Sequence, residues 1–319
     1  MKILSFNRHE SYLNTLAATG HEFDIIIHFG KTHLPWNKTA RPVPANINLV
    51  HLGPIVKDKL RQGYYDLIIC HTLEDLLCFF FQRSVPFIFI AHIALYFHSI
   101  PFCIKSYAKK WLLKIFRFVH SLQLVAVSEF KLETWQEKGE TIVLAPETIE
   151  WDGQRDWSQA IVVGNHIKER GRIFGLDLIK KIQEKIPLAI IGLNPTLPEA
   201  TAPKDFAEFQ KLFSHAGIYV YTMEYPFNDG YNTAMLEAMK LGMAIVSIAN
   251  PSSPLQHGIN GLIASNAEEM ITHIQTLQNN PAMAQKLGEG AKQTVQRHFS
   301  KQQFIDSWNK VFHKVKTYG

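Results

Sequence analysis

The sequence predicts an α/β protein in which two domains are each built on a sheet of parallel strands. The chain has 319 residues, which is too long for one ordinary domain and suits two of about 150 residues. Hydrophobic residues make up 46% and charged residues 19%, so each half can bury a core and extended disorder is excluded. Short β-branched runs alternate with longer helical patterns, which is typical of parallel βαβ folds.

In the first half of the chain, nearly continuous apolar runs such as Phe87–Ala91 predict strands that are covered on both faces. The predicted strands are Lys2–Phe6, Phe23–His28, Asp66–Cys70, Phe87–His92, Leu124–Val127 and Thr141–Leu144. Residues 145–157 are polar and irregular, and they predict an interdomain linker.

The second half repeats the alternation of strands and helices. The predicted strands are Ala160–Val163, Leu188–Gly192, Ile218–Tyr221, Ala244–Ile248 and Leu262–Ala264. The predicted helices are Ile173–Glu184, Lys204–His215, Asn232–Leu241, Ala267–Asn279, Ala282–Gln296 and Lys301–Lys316. We therefore expect two Rossmann-like domains with parallel sheets facing a cleft, and ligands at the carboxyl ends of the strands.

The composition argues against several classes of protein. A net charge of +5 is too small to indicate nucleic acid binding, and no Cys/His spacing typical of a zinc site occurs. Cys70, Cys78 and Cys103 lie among apolar residues, which favours a reducing compartment over a disulfide framework. The chain opens with a predicted strand and not a signal peptide, so we expect a cytoplasmic protein.

The segment after the third strand of the second half carries the clearest chemistry. Asp229 and Gly230 predict a turn, and a helix follows from Asn232. Backbone amides around Tyr231 and Asn232, together with the helix dipole, favour an anion at this point. Glu237 lies further along the helix and could reach a polar ligand beside it. The alternative is a plain amphipathic helix with an Asp-Gly turn and a surface glutamate.

Three motifs, in order, resemble the signature of retaining glycosyltransferases of family 4, which have the GT-B fold. Asp229 is followed after seven residues by Glu237-Ala-Met and then by Gly242, as in the family's pattern of an acid, seven residues and Glu. Residues 163–171 resemble its Gly-Arg-Leu-x-x-x-Lys-Gly motif, and residues 255–262 resemble its Ile-x-x-Gly-x-Asn-Gly turn. The resemblance covers the second domain well and the first only loosely.

The resemblance implies a different role for each domain. Residues 1–152 would form an acceptor-side domain joined by the C-terminal helix 300–319, and residues 153–299 would bind the nucleotide sugar. The implied activity is that of a hexosyltransferase working with retention of configuration, without cofactor or bound metal, by same-face attack with the leaving phosphate as base. The implied partners are a UDP- or GDP-type donor and a glycan or lipid-linked acceptor, as in polysaccharide biosynthesis.

The same resemblance assigns the residues that would hold the donor. Glu237 would bind the ribose, because a carboxylate has two oxygens for two vicinal hydroxyls. Asp229 would contact hydroxyls of the donor sugar as a catalytic residue. The backbone amides of Gly230, Tyr231 and Asn232 would support the sugar and the distal phosphate.

The motif at residues 163–171 departs from the family pattern at its cations. Asn165 stands where Arg is usual, and Arg170, the residue assigned to the leaving diphosphate, stands where Lys is usual. Arg170 can still bind phosphate with two hydrogen bonds. The residues assigned to this side of the donor are Gly164, Asn165, Lys168, Arg170 and Arg172. The missing cation, and Asp instead of Glu at position 229, leave open a non-catalytic partner subunit with a decayed site.

Polar residues after two strands of the first domain complete the predicted site. His92 follows the strand Phe87–Ala91, where the family often has a histidine that faces the donor sugar; the alternative is a half-buried histidine at a strand end. The acceptor-side residues are Asn7, Arg8, His9 and Glu10, and their alternative is a helix start with its charges in solvent. These side chains also leave open a GT-B nucleotide-sugar epimerase, with His92, His9 and Glu10 as acid and base groups.

One segment concentrates the positive charge. No acidic residue occurs between Asp75 and Glu129. On a helical wheel, five cations cover one half, and Tyr107, Trp111, Ile115 and Phe118 cover the other. The cations are Lys105, Lys109, Lys110, Lys114 and Arg117. The pattern predicts peripheral contact with an anionic membrane, at its inner face, through residues 105–118. The alternative is a helix that buries its apolar half in the core and exposes a basic face.

Overall fold

A computed structural model describes residues 1–95 and 100–318, without the side chains of residues 100–103, 317 and 318. The side chain of Cys103 therefore lies outside the described residues. The chain divides into two compact units. The first contains Met1–Leu144 together with Gln302–Gly319, and the second contains Ala145–Lys301.

The first unit is built on an eight-stranded sheet. Its strands are β1 (Lys2–Phe6), β2 (Glu22–Phe29), β3 (Thr32–His33), β4 (Ile47–His51), β5 (Leu67–Cys70), β6 (Phe87–Ala91), β7 (Leu122–Ala126) and β8 (Glu140–Thr141). The order is β3-β2-β1-β5-β6-β7-β8, and β4 also pairs with β2. All pairs are parallel except β2 with β3.

The order of this sheet reverses at β1. Because β1 pairs with β2 on one side and with β5 on the other, the ends of β1 and β5 flank a topological switch point, where open α/β sheets bind ligands. Ser5 of β1 lies opposite Ile69 of β5 in the register. Both residues are fully buried, as expected for strands covered on both faces.

Helices cover the sheet of the first unit. They are α1 (Glu10–Ala17), α2 (Pro54–Arg61), α3 (Leu73–Cys78), α4 (Ile100–Val119), α5 (Glu129–Trp135) and the C-terminal helix (Lys301–Tyr318). The C-terminal helix packs Phe304 and Trp308 edge-on against Tyr12 of α1. Trp308 is fully buried, so this contact is part of the core of the first unit.

The second unit has a five-stranded parallel sheet in the order β10-β9-β11-β12-β13. Its strands are β9 (Asp156–Val163), β10 (Leu188–Ile191), β11 (Ala216–Tyr221), β12 (Ala244–Ile248) and β13 (Leu262–Ala264). Its helices are α6 (Ile167–Arg170), α7 (Leu176–Gln183), α8 (Phe206–His215), α9 (Thr233–Leu241), α10 (Ala267–Asn279) and α11 (Pro281–His298), with a 3₁₀ turn at Gly171–Phe174.

The predicted α/β class with parallel sheets is confirmed. Strands β1, β12 and β13 have the predicted bounds, whereas β3 and β4 were not predicted and the strand expected at Thr141–Leu144 is the shorter β8. Among the described helices, none is both long and apolar enough to cross a membrane.

Candidate functional site

The candidate donor site lies at the switch point of the second sheet. Strand β9 pairs with β10 on one side and β11 on the other, so the order reverses between β9 and β11. The loop after β9 carries Gly164 to Arg172, and the loop after β11 carries Asp229 to Asn232. Because parallel strands end at the same edge of a sheet, the two predicted motifs leave from neighbouring positions.

A close backbone approach joins these two loops. The hydroxyl of Thr222, after β11, donates a hydrogen bond of 2.6 Å to the carbonyl of Phe174. Gly175 has a φ of +65°, and a Cβ at this position would overlap with the carbonyl oxygen of Thr222. Position 175 therefore requires glycine both for its backbone conformation and for this contact.

The loop after β12 holds the Asp-Gly turn from the other side. Asn250 Nδ2 donates to the carbonyl of Asn228 at 3.0 Å, and the amide of Gly230 donates to Ser252 Oγ at 2.9 Å. A Cβ on Gly230 would overlap with the backbone of Ser253. The turn is thus held by side chains and backbone of the loop after β12, and the Gly230 amide already has a partner within the unit.

Asp229 and the start of α9 follow this turn. The Asp229 side chain is fully buried, and its carbonyl accepts a hydrogen bond from the Tyr221 hydroxyl. Burial raises the pKa of Tyr221, and the nearby Asp229 carboxylate adds to the increase. Asn232 is the N-cap of α9, and its Oδ1 accepts from the Met235 amide at 2.8 Å. The predicted helix start is therefore present, and the buried carboxylate lies three residues before its N-cap.

Glu237 is buried, with 2% of its surface exposed. The alternative in which it is a surface residue is therefore wrong. Burial lowers the pKa of Lys240, one turn further along α9; the charges of Glu147 and Glu237 act against this decrease, and the charge of Lys301 adds to it. Lys301 in turn pairs with Glu147 at 2.9 Å. Glu237 thus belongs to a partly buried group of charges in which acidic and basic side chains balance each other.

The basic residues after β9 are exposed and partly held by aromatic rings. The guanidinium of Arg170 lies 4.5 Å from the ring centre of Phe174, and that of Arg172 lies 4.3 Å from the ring centre of Phe227. These distances allow cation–π attraction that keeps both charges near the edge of the sheet. Phe227 belongs to the loop after β11, so Arg172 links the two loops.

The remaining residues of the motif at 163–171 have distinct environments. Gly164 packs against Phe174, since a Cβ there would overlap with that ring. Asn165, which replaces the family's arginine, is exposed, and its Oδ1 accepts from the Leu193 amide at 2.8 Å. Asn165 therefore ties the loop after β9 to the loop after β10. Lys168 is exposed on α6 and is available to an anion.

A second group of polar side chains lies at the switch point of the first sheet. His71 follows β5, and its Nε2 lies 3.0 Å from Ser5 Oγ of β1. Its Nδ1 lies 2.9 Å from Nε2 of His92, which follows β6. The ring of His9, after β1, lies 4.2 Å from the ring of His92. These three histidines line a cavity of about 220 Å³, together with residues that include Lys109 and Trp135.

The two inner histidines are neutral near pH 7. Burial lowers the pKa of His71 to about 3, and the positive charge of Arg8 adds to this decrease. Burial also lowers the pKa of His92 well below its usual value, with further contributions from His9, His71 and Lys131. Both rings can therefore accept a hydrogen bond at one nitrogen while they donate one at the other.

Of the four predicted acceptor-side residues, only His9 reaches this cavity. Asn7 is buried, and its Nδ2 donates to Glu10 Oε1 and to two backbone carbonyls. Glu10 Oε1 also accepts from the Asn37 amide. The Arg8 guanidinium pairs with Asp75 at 2.7 Å. The alternative of a helix start with all its charges in solvent is wrong for Arg8, whose partner is fully buried.

Ser5, His71 and Asp75 were not identified from the sequence. A histidine directly after a buried strand was a usable signal, because the same signal identified His92. A serine inside a strand gave none, since its role depends on the pairing of β1 with β5. Among the described residues, no three His, Cys, Asp or Glu side chains are arranged to hold a metal ion.

One family model matches a large part of the second unit. Residues 158–280 match the family model described as Glycosyl transferases group 1. No curated protein matches the chain significantly.

Solved structures resemble the whole chain at low identity. Sucrose-phosphate synthase from Thermosynechococcus elongatus has a TM-score of 0.72 and 13% identity, covering 100% of both chains. Anabaena Alr3699/HepE in complex with UDP-glucose has a TM-score of 0.70 and 13% identity, covering 98% of this chain and 100% of the other. A glycosyltransferase from Rickettsia africae has a TM-score of 0.63 and 13% identity, covering 100% of this chain and 99% of the other. The predicted GT-B fold is confirmed, and residues 158–280 form a domain of the group 1 glycosyl transferase type.

Proposed function

We propose that the protein is a glycosyltransferase that moves a hexose from a nucleoside-diphosphate sugar to an acceptor hydroxyl, with retention of configuration. The observation that carries this proposal is the pair of buried carboxylates, Asp229 and Glu237, of which the first precedes α9 and the second lies in the middle of it, at the β9/β11 switch point. They lie within residues 158–280, which match a glycosyl transferase model. The structures of Alr3699/HepE with UDP and with UDP-glucose favour a UDP-type donor, and a GDP-type donor remains the other choice.

The proposed roles follow from the chemistry of each group. Glu237 accepts hydrogen bonds from the ribose hydroxyls, and Asp229 accepts from hydroxyls of the donor sugar. Arg170 neutralises the charge that builds on the leaving diphosphate, because a guanidinium binds phosphate with two parallel hydrogen bonds. Lys168 and Arg172 supply the charge that Asn165 lacks. The leaving phosphate takes the proton of the attacking hydroxyl on the same face of the sugar, and no step requires a bound metal.

On the first unit, we assign His92 to the donor sugar and His9 to the acceptor side. Both rings line the same cavity, so a polar ligand there would contact them together. The proposed acceptor is a glycan or a lipid-linked sugar of polysaccharide biosynthesis.

The exposed surface of α4 supports peripheral contact with an anionic membrane and thus a cytoplasmic, membrane-associated location. Its solvent-facing apolar residues are Ile104, Tyr107, Trp111, Ile115 and Phe118. They recur every three or four residues, so they form one stripe along the helix. The side chains that α4 buries in the core include Leu113 and Phe116. The alternative in which the stripe packs in the core is therefore wrong: Phe118 is 93% exposed and Trp111 is 65% exposed.

Charges flank this stripe in the way that a lipid surface requires. Lys105 and Lys114 are exposed beside it, and Lys109 is half-buried. Lys114 and Arg117 share Glu137 at 3.6 Å and 3.5 Å, so their positive charge exceeds that of their acidic partner. Apolar residues beside cations favour the interface of an anionic bilayer over plain water.

The proposal is tested by thermal unfolding in the presence of UDP, GDP, UDP-glucose and GDP-mannose. A ligand that binds only the folded state stabilises it by about 2.7 kcal/mol at about 100 times its Kd. We expect one nucleotide class to raise the Tm, and Glu237→Gln to make this increase clearly smaller. Glu268→Gln, at an exposed position of α10, is the matched control and should leave the increase unchanged.

Product analysis then separates transfer from its alternatives. Transfer predicts a glycosylated acceptor and free nucleoside diphosphate, formed only when an acceptor is present. A changed sugar on an intact nucleotide without acceptor would instead identify an epimerase. If no nucleotide or nucleotide sugar stabilises the protein, the donor-site assignment is wrong.

A further inference from the structure

A continuous hydrogen-bonded chain runs from the core of the first sheet to the histidine cavity. Ser5 Oγ donates to the carbonyl of Ile69 at 3.0 Å, between the paired strands β1 and β5. His71 Nε2 lies 3.0 Å from the same Ser5 oxygen, and His71 Nδ1 lies 2.9 Å from His92 Nε2. Ser5 is fully buried and His71 is 4% exposed, so water does not compete for these bonds.

The number of protons that Ser5, His71 and His92 can donate fixes the tautomer of each histidine ring. A hydroxyl has one proton to donate, and Ser5 gives it to Ile69. Ser5 Oγ is then the acceptor for His71, so His71 carries its proton on Nε2 and presents a lone pair at Nδ1. His92 must therefore donate from Nε2, which leaves the lone pair of its ring on Nδ1.

The charges around the two rings keep this arrangement neutral. Arg8 lies near His71, and His9 and Lys131 lie near His92. The carboxylate next to His71 is Asp75, and its Oδ2 accepts from the backbone amide of His71 and not from the ring. No described hydrogen bond joins a carboxylate to the rings of His71 and His92, so a charged imidazolium gains little there.

We propose that Ser5 and His71 are positioning residues that hold His92 as the Nε2–H tautomer, so that the cavity presents Nδ1 of His92 as a hydrogen-bond acceptor for a ligand hydroxyl. The ligand class is a polyhydroxyl compound, since a neutral imidazole nitrogen accepts from O–H and does not favour an anion. This inference deepens the assignment of His92 to the donor sugar, and in that respect it rests on the proposed function. The arrangement of protons itself is a property of the protein alone.

The experiment is nitrogen-15 NMR of the histidine rings in protein labelled at histidine, without donor or acceptor. Long-range proton–nitrogen spectra distinguish a protonated ring nitrogen from an unprotonated one, and His92→Gln and His71→Gln identify the two sets of signals. We expect Nε2 to be protonated and Nδ1 unprotonated in both rings. A protonated Nδ1 on His92 in the wild-type protein would overturn the proposal, because it requires Ser5 to donate to His71 instead.

Variants of Ser5 test whether Ser5 sets the tautomers of His71 and His92. Ser5→Ala removes the acceptor of His71, so the signals of both rings should move towards a mixture of tautomers, and Ser5→Thr, which keeps a hydroxyl, should restore them. His28→Gln is the matched control, because it breaks another histidine pair of this unit, His28 with His51 at 3.2 Å. It should leave the His92 signals in place. Unchanged His92 signals in Ser5→Ala would also contradict the proposal.

Activity provides the second readout and keeps the two hypotheses apart. If the protein transfers sugar, Ser5→Ala should lower kcat/KM for the donor by about tenfold, the loss expected from one misdirected hydrogen bond. The same change should be much smaller in Ser5→Thr. A protein without transferase activity that still shows the expected tautomers would contradict the proposed function and leave this inference intact.

Discussion

Arg8 and Asp75 form a half-buried ion pair across the switch point of the first sheet. Nη2 and Nε of Arg8 donate to Asp75 Oδ1 at 2.7 Å and 3.1 Å. The other carboxylate oxygen accepts from the amides of His71 and Thr72, which completes the capping box of α3. One fully buried carboxylate therefore connects the loop after β1 to the loop after β5, on which His71 lies.

The first prediction concerns this carboxylate. Asp75→Ala should destabilise the protein by about 3 kcal/mol, because it leaves Arg8 without its partner and the amides of His71 and Thr72 without an acceptor. The measurement is urea unfolding at neutral pH. Asp58→Ala is the control: its pair with Arg61 is exposed at both ends and should contribute less than about 1 kcal/mol. Equal losses in the two variants would show that the buried pair has no special role.

The second prediction concerns the contact between the loops of the donor site. Gly175→Ala should unfold or strongly destabilise the second unit, because the new Cβ would overlap with the Thr222 carbonyl. Gly153 also has a positive φ but has open space around it, so Gly153→Ala should cost only about 1 kcal/mol of backbone strain. The difference between their thermal unfolding midpoints measures the contact itself. Similar midpoints would mean that residues 171–175 can move away from Thr222.

The third prediction follows from the pKa of His71. In the unfolded chain the ring has an ordinary pKa of 6.5, and burial with Arg8 lowers it to about 3 in the folded state. Below pH 6.5 the unfolded state therefore binds a proton that the folded state does not, and stability falls as the pH decreases towards about 3. Between about pH 7 and pH 5 the loss should be on the order of 1–2 kcal/mol. His71→Gln should have a shallower pH dependence of the unfolding free energy, and an unchanged slope would contradict the assignment.

The contrast between strands and side chains shows what the sequence could predict. Runs such as Phe87–Ala91 are fully apolar because both faces of the strand are covered, so β6 was identifiable. Strand β4 was missed because four of its five residues, all except Ile47, are partly buried or exposed, and polar residues such as Asn48 interrupt its apolar pattern. Local periodicity does not distinguish such a strand from a loop.

Side-chain partners were less predictable than elements, because they depend on pairing between distant strands. Ser5 and His71 are 66 residues apart and meet only because β1 and β5 are neighbours. The helical pattern of α4 was predictable, but the wheel alone did not show which half faces the core. The structure buries the side of Leu113 and Phe116 and leaves Trp111 and Phe118 in solvent.

The fourth prediction concerns nucleotide affinity. Glu237→Ala should weaken the binding of the stabilising nucleoside diphosphate by about 10- to 100-fold, the loss expected for charge-assisted hydrogen bonds to two ribose hydroxyls. Titration calorimetry with the nucleotide and with its 2′-deoxy form measures the effect. The wild-type protein should bind the deoxy form more weakly than the parent nucleotide. The variant should bind both forms with the same affinity. If both proteins prefer the parent nucleotide over the deoxy form to the same extent, Glu237 does not bind the ribose.

The last prediction concerns the exposed stripe of α4. The double variant Trp111→Ser, Phe118→Ser should lose most of its binding to vesicles of phosphatidylcholine and phosphatidylglycerol, because each large apolar side chain contributes about 1.5–3 kcal/mol when it leaves water. Sedimentation measures the bound fraction. Ile55→Ser is the control, since Ile55 is equally apolar and 75% exposed but lies on α2.

Salt and lipid charge then identify the electrostatic part of this binding. Raising the salt concentration, or omitting phosphatidylglycerol, should weaken wild-type binding, because screening and loss of anionic lipid both remove the attraction to Lys105 and Lys114. A double change, Lys105→Gln, Lys114→Gln, should reduce the salt dependence while the apolar stripe is intact. If the wild-type protein fails to bind anionic vesicles at low salt, the stripe serves a protein partner or another purpose, and the membrane assignment is wrong. If it binds neutral vesicles equally well, the cations have no part in the contact.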